Sequence, residues 1–222
     1  MITKPADRAG IDFESGLPER ILRDTGTEPG SLALVAYTLD ELYHAGKERK
    51  RLTHHDYESL GGVTGAIGRR AESVYEKMSA DAKIMLPLIF QKLVSVDHRG
   101  IATRERSEFE KIGVNDGAIE LINAFTQARL FVQSRGEMGA VVEVAHEAIF
   151  SSWKRLSDWI EETRGDLYML RQLERAAKLW ADKGRSRDFL WLGEKGRELQ
   201  GVITRLGPNL NEIEREFARP AQ

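Results

Sequence analysis

The sequence predicts a mainly α protein carrying one small β-hairpin. Three observations lead there. Glycines and prolines cut the chain into segments of helical length, and apolar residues recur within those segments at helical spacing. Only the stretch around 130–144 reads as two strands flanking a glycine-containing tip. With 222 residues, 41% hydrophobic and 31% charged, the chain can bury one good core or two small ones, and two small packed units are expected.

Leu17 to Asp24 reads as a short helix, with Pro18 in its first turn and Gly26 closing it. Pro29-Gly30-Ser31 then starts an amphipathic helix from about Leu32 to Ala45 that stops at Gly46. Its expected buried face is Leu32, Val35, Ala36, Leu39 and Leu42. Thr53 is a good N-cap for a single turn through Tyr57, and Gly61-Gly62 separates that turn from a longer helix over Gly65 to Lys77. Ser79 caps the next helix, Ala80 to Val94, without completing a capping box, because Ala82 stands three residues on. That helix is dense in Ile84, Met85, Leu88, Ile89 and Leu93, and Pro87 inside it is expected to kink or tighten it.

From Arg99 the period changes. Gly100 to Thr103 reads as a short strand, Ser107 to Ile112 as a short helix, and Asn115 as the N-cap of a helix from Asp116 to Gln127. Leu130-Phe131-Val132 and Val141 to Val144 flank Ser134 to Gly139 as a hairpin with a polar tip. Helix, strand, helix, helix, strand, wing, strand is the order of a winged helix. His146-Glu147 is read as opening a helix to Glu162, followed by Asp166 to Lys183, Asp188 to Leu206 and Asn209 to Phe217, with breaks at Gly165, Gly184 and Gly207-Pro208. Trp153, Trp159, Trp180 and Trp191 lie along these segments, either as core or as a partner surface. Their exposure decides, and aromatics at helical spacing usually belong to a core.

Several chemistries are excluded or disfavoured. The chain has no cysteine, which rules out disulfides and thiolate metal sites, and it has neither a signal peptide's apolar core nor a run of roughly 20 apolar residues, so a cytoplasmic, membrane-free protein is expected. A phosphate-cradling G-x-x-x-x-G-K-[ST] loop is missing: Gly46-Lys47 is followed by Glu48, and the glycines at 61, 62, 65 and 68 lead into Arg69-Arg70. Phe150 occupies the place of the second histidine in a zinc-protease H-E-x-x-H, and His54-His55 diverge into solvent, so no metal site is expected. No G-x-S-x-G elbow is present, and the chain by itself is not expected to be an enzyme. A net charge of −2 gives no general attraction to nucleic acid. The Asp116–Gln127 helix carries Asp116 and Glu120 but no lysine or arginine, and Glu105, Glu108 and Glu137 offset Arg99, Arg104, Arg106 and Arg135. A winged-helix transcription regulator and a plain interaction adaptor remain the alternatives; a basic surface over 99–135 would favour the former.

One resemblance covers nearly the whole chain. It runs from Ile2-Thr3-Lys4-Pro5-Ala6 through Phe13-Glu14, Ile21-Leu22-Arg23-Asp24 and Glu28-Pro29-Gly30-Ser31-Leu32 to Leu52-Thr53, Tyr57 and Leu60 to Ile67. It continues with Ala128-Arg129-Leu130, Val144-Ala145-His146-Glu147-Ala148-Ile149, Trp153, Leu156, Trp159, Arg164, Leu173, Ala176-Ala177 and Trp180. In this order and spacing the chain resembles the region after the P-loop core of bacterial STAND-type signalling NTPases, which are often fused to WD repeats. The resemblance implies a helical lid over 1–78, a winged-helix domain over 79–150 and a C-terminal helical linker over 151–222. It implies a regulatory module that senses nucleotide held by an upstream P-loop domain and couples it to downstream sensor repeats or an effector, with oligomerisation on activation. No cofactor would belong to this chain alone; ADP or ATP with Mg would bind in a longer parent, itself a potential ATPase. His146 stands where a winged-helix histidine contacts the β-phosphate of ADP, and the competing reading is a histidine that merely fixes the strand-to-helix corner. Pro29 and Gly30 match the lid segment whose Gly-x-Leu-Pro proline packs near adenine, but Ala33 replaces that proline, and an ordinary core helix explains the same residues. Glu147 would orient His146 or simply favour a helix N-terminus.

Overall fold

The computed structural model describes residues 6, 10–26, 31–136 and 139–219, with only the backbone at 31 and 33. Among the described residues there are 12 helices and three small sheets, so the protein is mainly α with a small hairpin. These residues pack as two compact units: one from 1–77, 124–131 and 145–157, the other from 78–123, 132–144 and 158–222. The units cut across the 1–78, 79–150 and 151–222 division, because the end of one helix and the 145–150 corner bury their apolar residues with the N-terminal helices.

The first unit is built from β1 (Asp12–Phe13), α1 (Leu17–Thr25), α2 (Ser31–Gly46), β2 (Arg51–Leu52), α3 (His54–Ser59) and α4 (Gly62–Glu76). Pro18 sits in the first turn of α1, and Gly26 closes it at φ 70°. Thr53 caps α3 more completely than one oxygen would: its hydroxyl accepts from the Asp56 N–H, and the Asp56 carboxylate accepts from the Thr53 N–H, a capping box. The Asp56 carboxyl is held below its usual range by hydrogen bonds from Thr53 and Arg49, which outweigh its burial. The buried face of α2 differs from expectation. Leu34, Val35, Tyr37, Thr38 and Leu42 point inward, while Leu32 and Ala36 are exposed. The stripe rotates because Tyr37 and Thr38 find acceptors in the core, Thr38 Oγ1 donating to the Leu34 carbonyl at 2.9 Å.

The second unit contains α5 (Ala80–Ile84), α6 (Leu86–Leu93), β3 (Val94–Val96), β4 (Ala102–Arg104), β5 (Arg106–Glu108) and α7 (Phe109–Ile112). Pro87 does not kink one long helix. The chain breaks at Met85 and begins α6 afresh, placing the proline in a first turn where its missing N–H costs nothing. Helix α8 (Asp116–Gln127) starts as expected under Asn115, whose Oδ1 accepts from the Ala118 N–H at 2.9 Å. The hairpin strands are β6 (Phe131–Gly136) and β7 (Gly139–Val144), and β5 joins them in the order β5-β7-β6. The strand β5 replaces the first residues of the helix expected from Ser107: Ser107 pairs antiparallel with Val142, and Arg106 Nε donates to Glu143 across the ladder at 2.8 Å.

After the hairpin come α9 (Ile149–Ser152), α10 (Lys154–Asp182), α11 (Gly193–Leu206) and α12 (Glu212–Phe217). Two expectations fail here. Residues 147–162 are not one helix, because Trp153 is extended at φ −90°, ψ 100° and separates α9 from α10. Gly165 is no break: it sits exposed within the 29 residues of α10, where a cost of about 1 kcal/mol for a glycine is too small to end a long helix. Trp180 and Phe217 meet edge-to-face at 5.8 Å and Trp191 and Phe217 at 5.5 Å, closing α10, α11 and α12 around Leu173, Leu199 and Val202. Trp153 and Trp180 are buried and Trp159 and Trp191 half-buried, so the tryptophans serve chiefly as core.

Candidate functional site

His146 lies at the corner between β7 and α9, within the first unit. The corner is tied on both sides, the Ala145 N–H donating to the Leu130 carbonyl at 2.9 Å and the His146 carbonyl accepting from the Ile149 N–H at 3.2 Å. His146 does not open a helix; a turn over Glu147-Ala148 intervenes, and α9 that follows is only 4 residues long. A macrodipole from so short a helix is slight, so α9 adds little attraction for an anion at this corner. The ring is nonetheless oriented. Its Nδ1 accepts from the Ala148 N–H at 3.3 Å, which leaves the proton of the neutral imidazole on Nε2. Glu147 is exposed.

A narrow crevice with room for only about 10 Å³ runs beside the imidazole, lined by Leu34, Tyr37, Ile67, Arg129, Leu130, Ala145, His146 and Ile149. That is far below the roughly 300–1,000 Å³ of a site that encloses a drug-sized ligand, and close to the room a single water needs. Arg129 and His146 are among the lining residues and no carboxylate is, but the exposed wall of the crevice is almost wholly apolar. Tyr37 forms its floor, donating its hydroxyl to the Ala128 carbonyl. Burial pushes the Tyr37 hydroxyl up to about 12, although Arg70 and Arg129 both act to lower it. Arg70, on α4, has a buried Nε without an acceptor among the described residues.

The corner is braced from below. Trp153 Nε1 donates to Glu72 Oε2 at 2.5 Å, and Arg155 binds both oxygens of the same carboxylate, at 2.6 and 3.3 Å. Arg155, then Trp153, hold the Glu72 carboxyl below its usual range. Phe125 and Tyr75 contact the Trp153 indole at 5.6 and 5.9 Å between ring centroids. Gly68 lets α4 approach the end of α9 so closely that a Cβ there would overlap the Ser152 carbonyl oxygen.

The other sequence candidates fare differently. Pro29 and Gly30 lie outside the described residues, as does the side chain of Ala33. His54 is not simply solvated: its ring bridges Arg20 Nη1 and the Ser15 carbonyl, at 3.3 and 3.0 Å, while His55 is exposed. No cluster of three or more metal-ligating side chains exists among the described residues, and none of their helices is long and apolar enough to cross a membrane. Residues 99–135 present no unbroken basic face, since Arg99 pairs with Asp97 and Arg106 with Glu143. Glu120 of α8 accepts from the Ser79 N–H and hydroxyl at 2.9 and 2.6 Å, which spends that carboxylate on capping α5. Sequence reasoning missed Tyr37 and Arg129 as site residues.

Comparison with curated proteins and with solved structures finds no match. A family profile does match, described as Novel STAND NTPase 1 and covering residues 1–188. The chain belongs to the Novel STAND NTPase 1 family.

Proposed function

We propose that this chain is the regulatory part of a STAND-type switch: a helical lid and winged helix that close over ADP held by an upstream P-loop domain and pass its state to downstream sensor or effector elements. The observation that carries the reading is the His146 corner in a chain of this family. Its imidazole is oriented by the Ala148 N–H and stands beside a carboxylate-free crevice that Arg129 also lines. Bound ADP would supply the anion. His146 would donate to a phosphate oxygen, Arg129 would add charge, and Leu34, Ile67 and Ile149 would keep water from the contact. Closure is then a two-state bias, with the nucleotide stabilising the arrangement in which these donors reach it. The Glu72, Trp153 and Arg155 network holds the corner's shape and takes no part in binding.

The test is the nucleotide content of the protein extended upstream to include a P-loop domain, purified as wild type and as His146→Ala, then denatured and chromatographed. Retention of ADP by wild type and its loss in the variant is the expected result. Equal retention would reduce His146 to a corner residue, and no nucleotide in either would sink the switch reading.

A further inference from the structure

The second unit has a cleft of its own. It offers about 340 Å³, within the range of sites that take small molecules, and lies between the end of α6, β5, α7, α10 and the turn leading into α12. An inner crevice of about 20 Å³, room for one water-sized group, shares Lys92, Arg171, Glu174 and Glu214 with it. Two groups here lack the partners that burial calls for. Gln91 lines the inner crevice and is only 5% exposed. Its Nε2 donates to the Leu206 carbonyl at 3.0 Å, which fixes the amide and leaves the buried Oε1 without a donor among the described residues. The Lys92 side chain is 24% exposed, yet its Nζ stands 3.9 Å from Glu214 Oε2, too far for a hydrogen bond, and makes none with the described residues. The neighbouring charges are already engaged. Glu214 Oε2 accepts from the Asn211 N–H at 2.9 Å, and Arg171 donates to Glu174 and to the Val94 carbonyl at 2.8 Å each. In the outer cleft Lys111 donates to Glu108 at 3.0 Å, and Arg106 gives only its Nε to Glu143.

We propose that this cleft binds a small organic carboxylate that also carries a hydroxyl or ammonium donor, the carboxylate meeting Lys92, Arg106 and Lys111 and the donor reaching Gln91 Oε1 in the inner crevice. The unspent hydrogen bonds of the cations are N–H donors on Lys92, Lys111 and the Nη groups of Arg106, whereas Glu108, Glu174 and Glu214 each already accept one. Spare cationic donors select an anion, and charge-assisted bonds are the strong ones. The orphaned group of the inner crevice is an acceptor, so the same ligand must bring a donor, because leaving a buried acceptor unmet costs affinity. The family match ends at residue 188, so the Asn209–Glu214 wall lies beyond it, and the site is independent of the nucleotide reading of His146.

L-malate, L-aspartate and succinate titrated separately into the 222-residue chain test this, with the backbone amides of 106–111 and 209–214 as the readout. Succinate has the four-carbon dicarboxylate skeleton of the other two without the hydroxyl or ammonium. Malate or aspartate should give saturable shifts in both segments, and succinate should bind about tenfold or more weakly. Lys92→Met keeps the unbranched stem and removes the ammonium, and it should lower the affinity for malate or aspartate about tenfold or more. Should that variant fail to fold, Lys111→Gln, at a side chain 56% exposed, should still weaken binding severalfold. Wild-type affinity in a folded Lys92→Met protein, or in Lys111→Gln, would overturn the proposal. Succinate binding as tightly as malate and aspartate would overturn the ligand class, since a water would then suffice at Gln91. No saturable shift with any of the three, or equal shifts with sodium chloride, would overturn the site.

Discussion

Gly68 and Gly165 both lie inside long helices, and replacing each by alanine should move stability in opposite directions. In a helix interior alanine is favoured over glycine by roughly 0.5–1 kcal/mol. At Gly165 nothing lies within 4 Å of the added Cβ and the backbone is not left-handed, so the whole gain should be realised. At Gly68 the added carbon would overlap the Ser152 carbonyl oxygen and lie 2.8 Å from the Ser152 carbonyl carbon and 3.3 Å from the Trp153 nitrogen. All three are backbone atoms, so no side chain can swing away; α4 and the end of α9 must separate. Overpacking of this kind costs about 1–3 kcal/mol, and about 2–3 kcal/mol where only backbone can yield, which leaves a net loss of roughly 1–2.5 kcal/mol after the propensity gain. For a chain of this size that is a fall of roughly 2–10 °C in melting temperature, against a rise of about 1–4 °C for Gly165→Ala. Thermal unfolding followed by tryptophan fluorescence reads both, since Trp153 adjoins the strained contact. A Gly68→Ala protein as stable as wild type would refute the claim that close backbone approach holds the His146 corner against α4.

Acid should weaken the same corner. Because Arg155 and Trp153 lower the Glu72 carboxyl, its contribution is fully present above the ordinary glutamate pKa of about 4.3 and is lost as pH falls through the lower folded value. Wild type should therefore lose stability relative to Glu72→Gln as pH drops from about 5 towards 3; parallel pH curves would contradict this. Tyr37→Phe leaves the Ala128 carbonyl without its buried donor and should cost about 1–2 kcal/mol in denaturant unfolding. Since the Tyr37 hydroxyl titrates only near 12, that loss should be the same at pH 6 and pH 9, and a pH-dependent difference would count against it. Thr53→Ala removes one half of the α3 capping box and should cost about 1 kcal/mol, with Asp56→Asn partly mimicking it; no change in unfolding midpoint would show that the cap is dispensable.

Where local chemistry decides structure, the sequence was readable. Pro18 and Gly26 bound α1, and Thr53 and Asn115 cap their helices, because each acts within three or four residues of itself. Distant partners were the source of error. The α9–α10 break depends on Trp153 reaching Glu72, 81 residues away in sequence, and β5 forms because β7 arrives 37 residues later. The face of α2 was misjudged because Tyr37 and Thr38 look polar until their buried acceptors are known. His146 was visible from its motif, whereas Arg129 was not: a helix cap is ordinarily signalled by glycine, and the Ala128-Arg129-Leu130 segment discloses a left-handed arginine only once the Phe125 and Thr126 carbonyls are seen to be satisfied.

The most direct measurement of the central claim is the ¹⁵N spectrum of the His146 imidazole in the P-loop-containing protein, with and without ADP. Nδ1 already takes the Ala148 N–H, so the account predicts that ADP shifts the Nε2 resonance while Nδ1 stays that of an acceptor. An imidazole spectrum indifferent to ADP, in a protein that demonstrably holds the nucleotide, would contradict it.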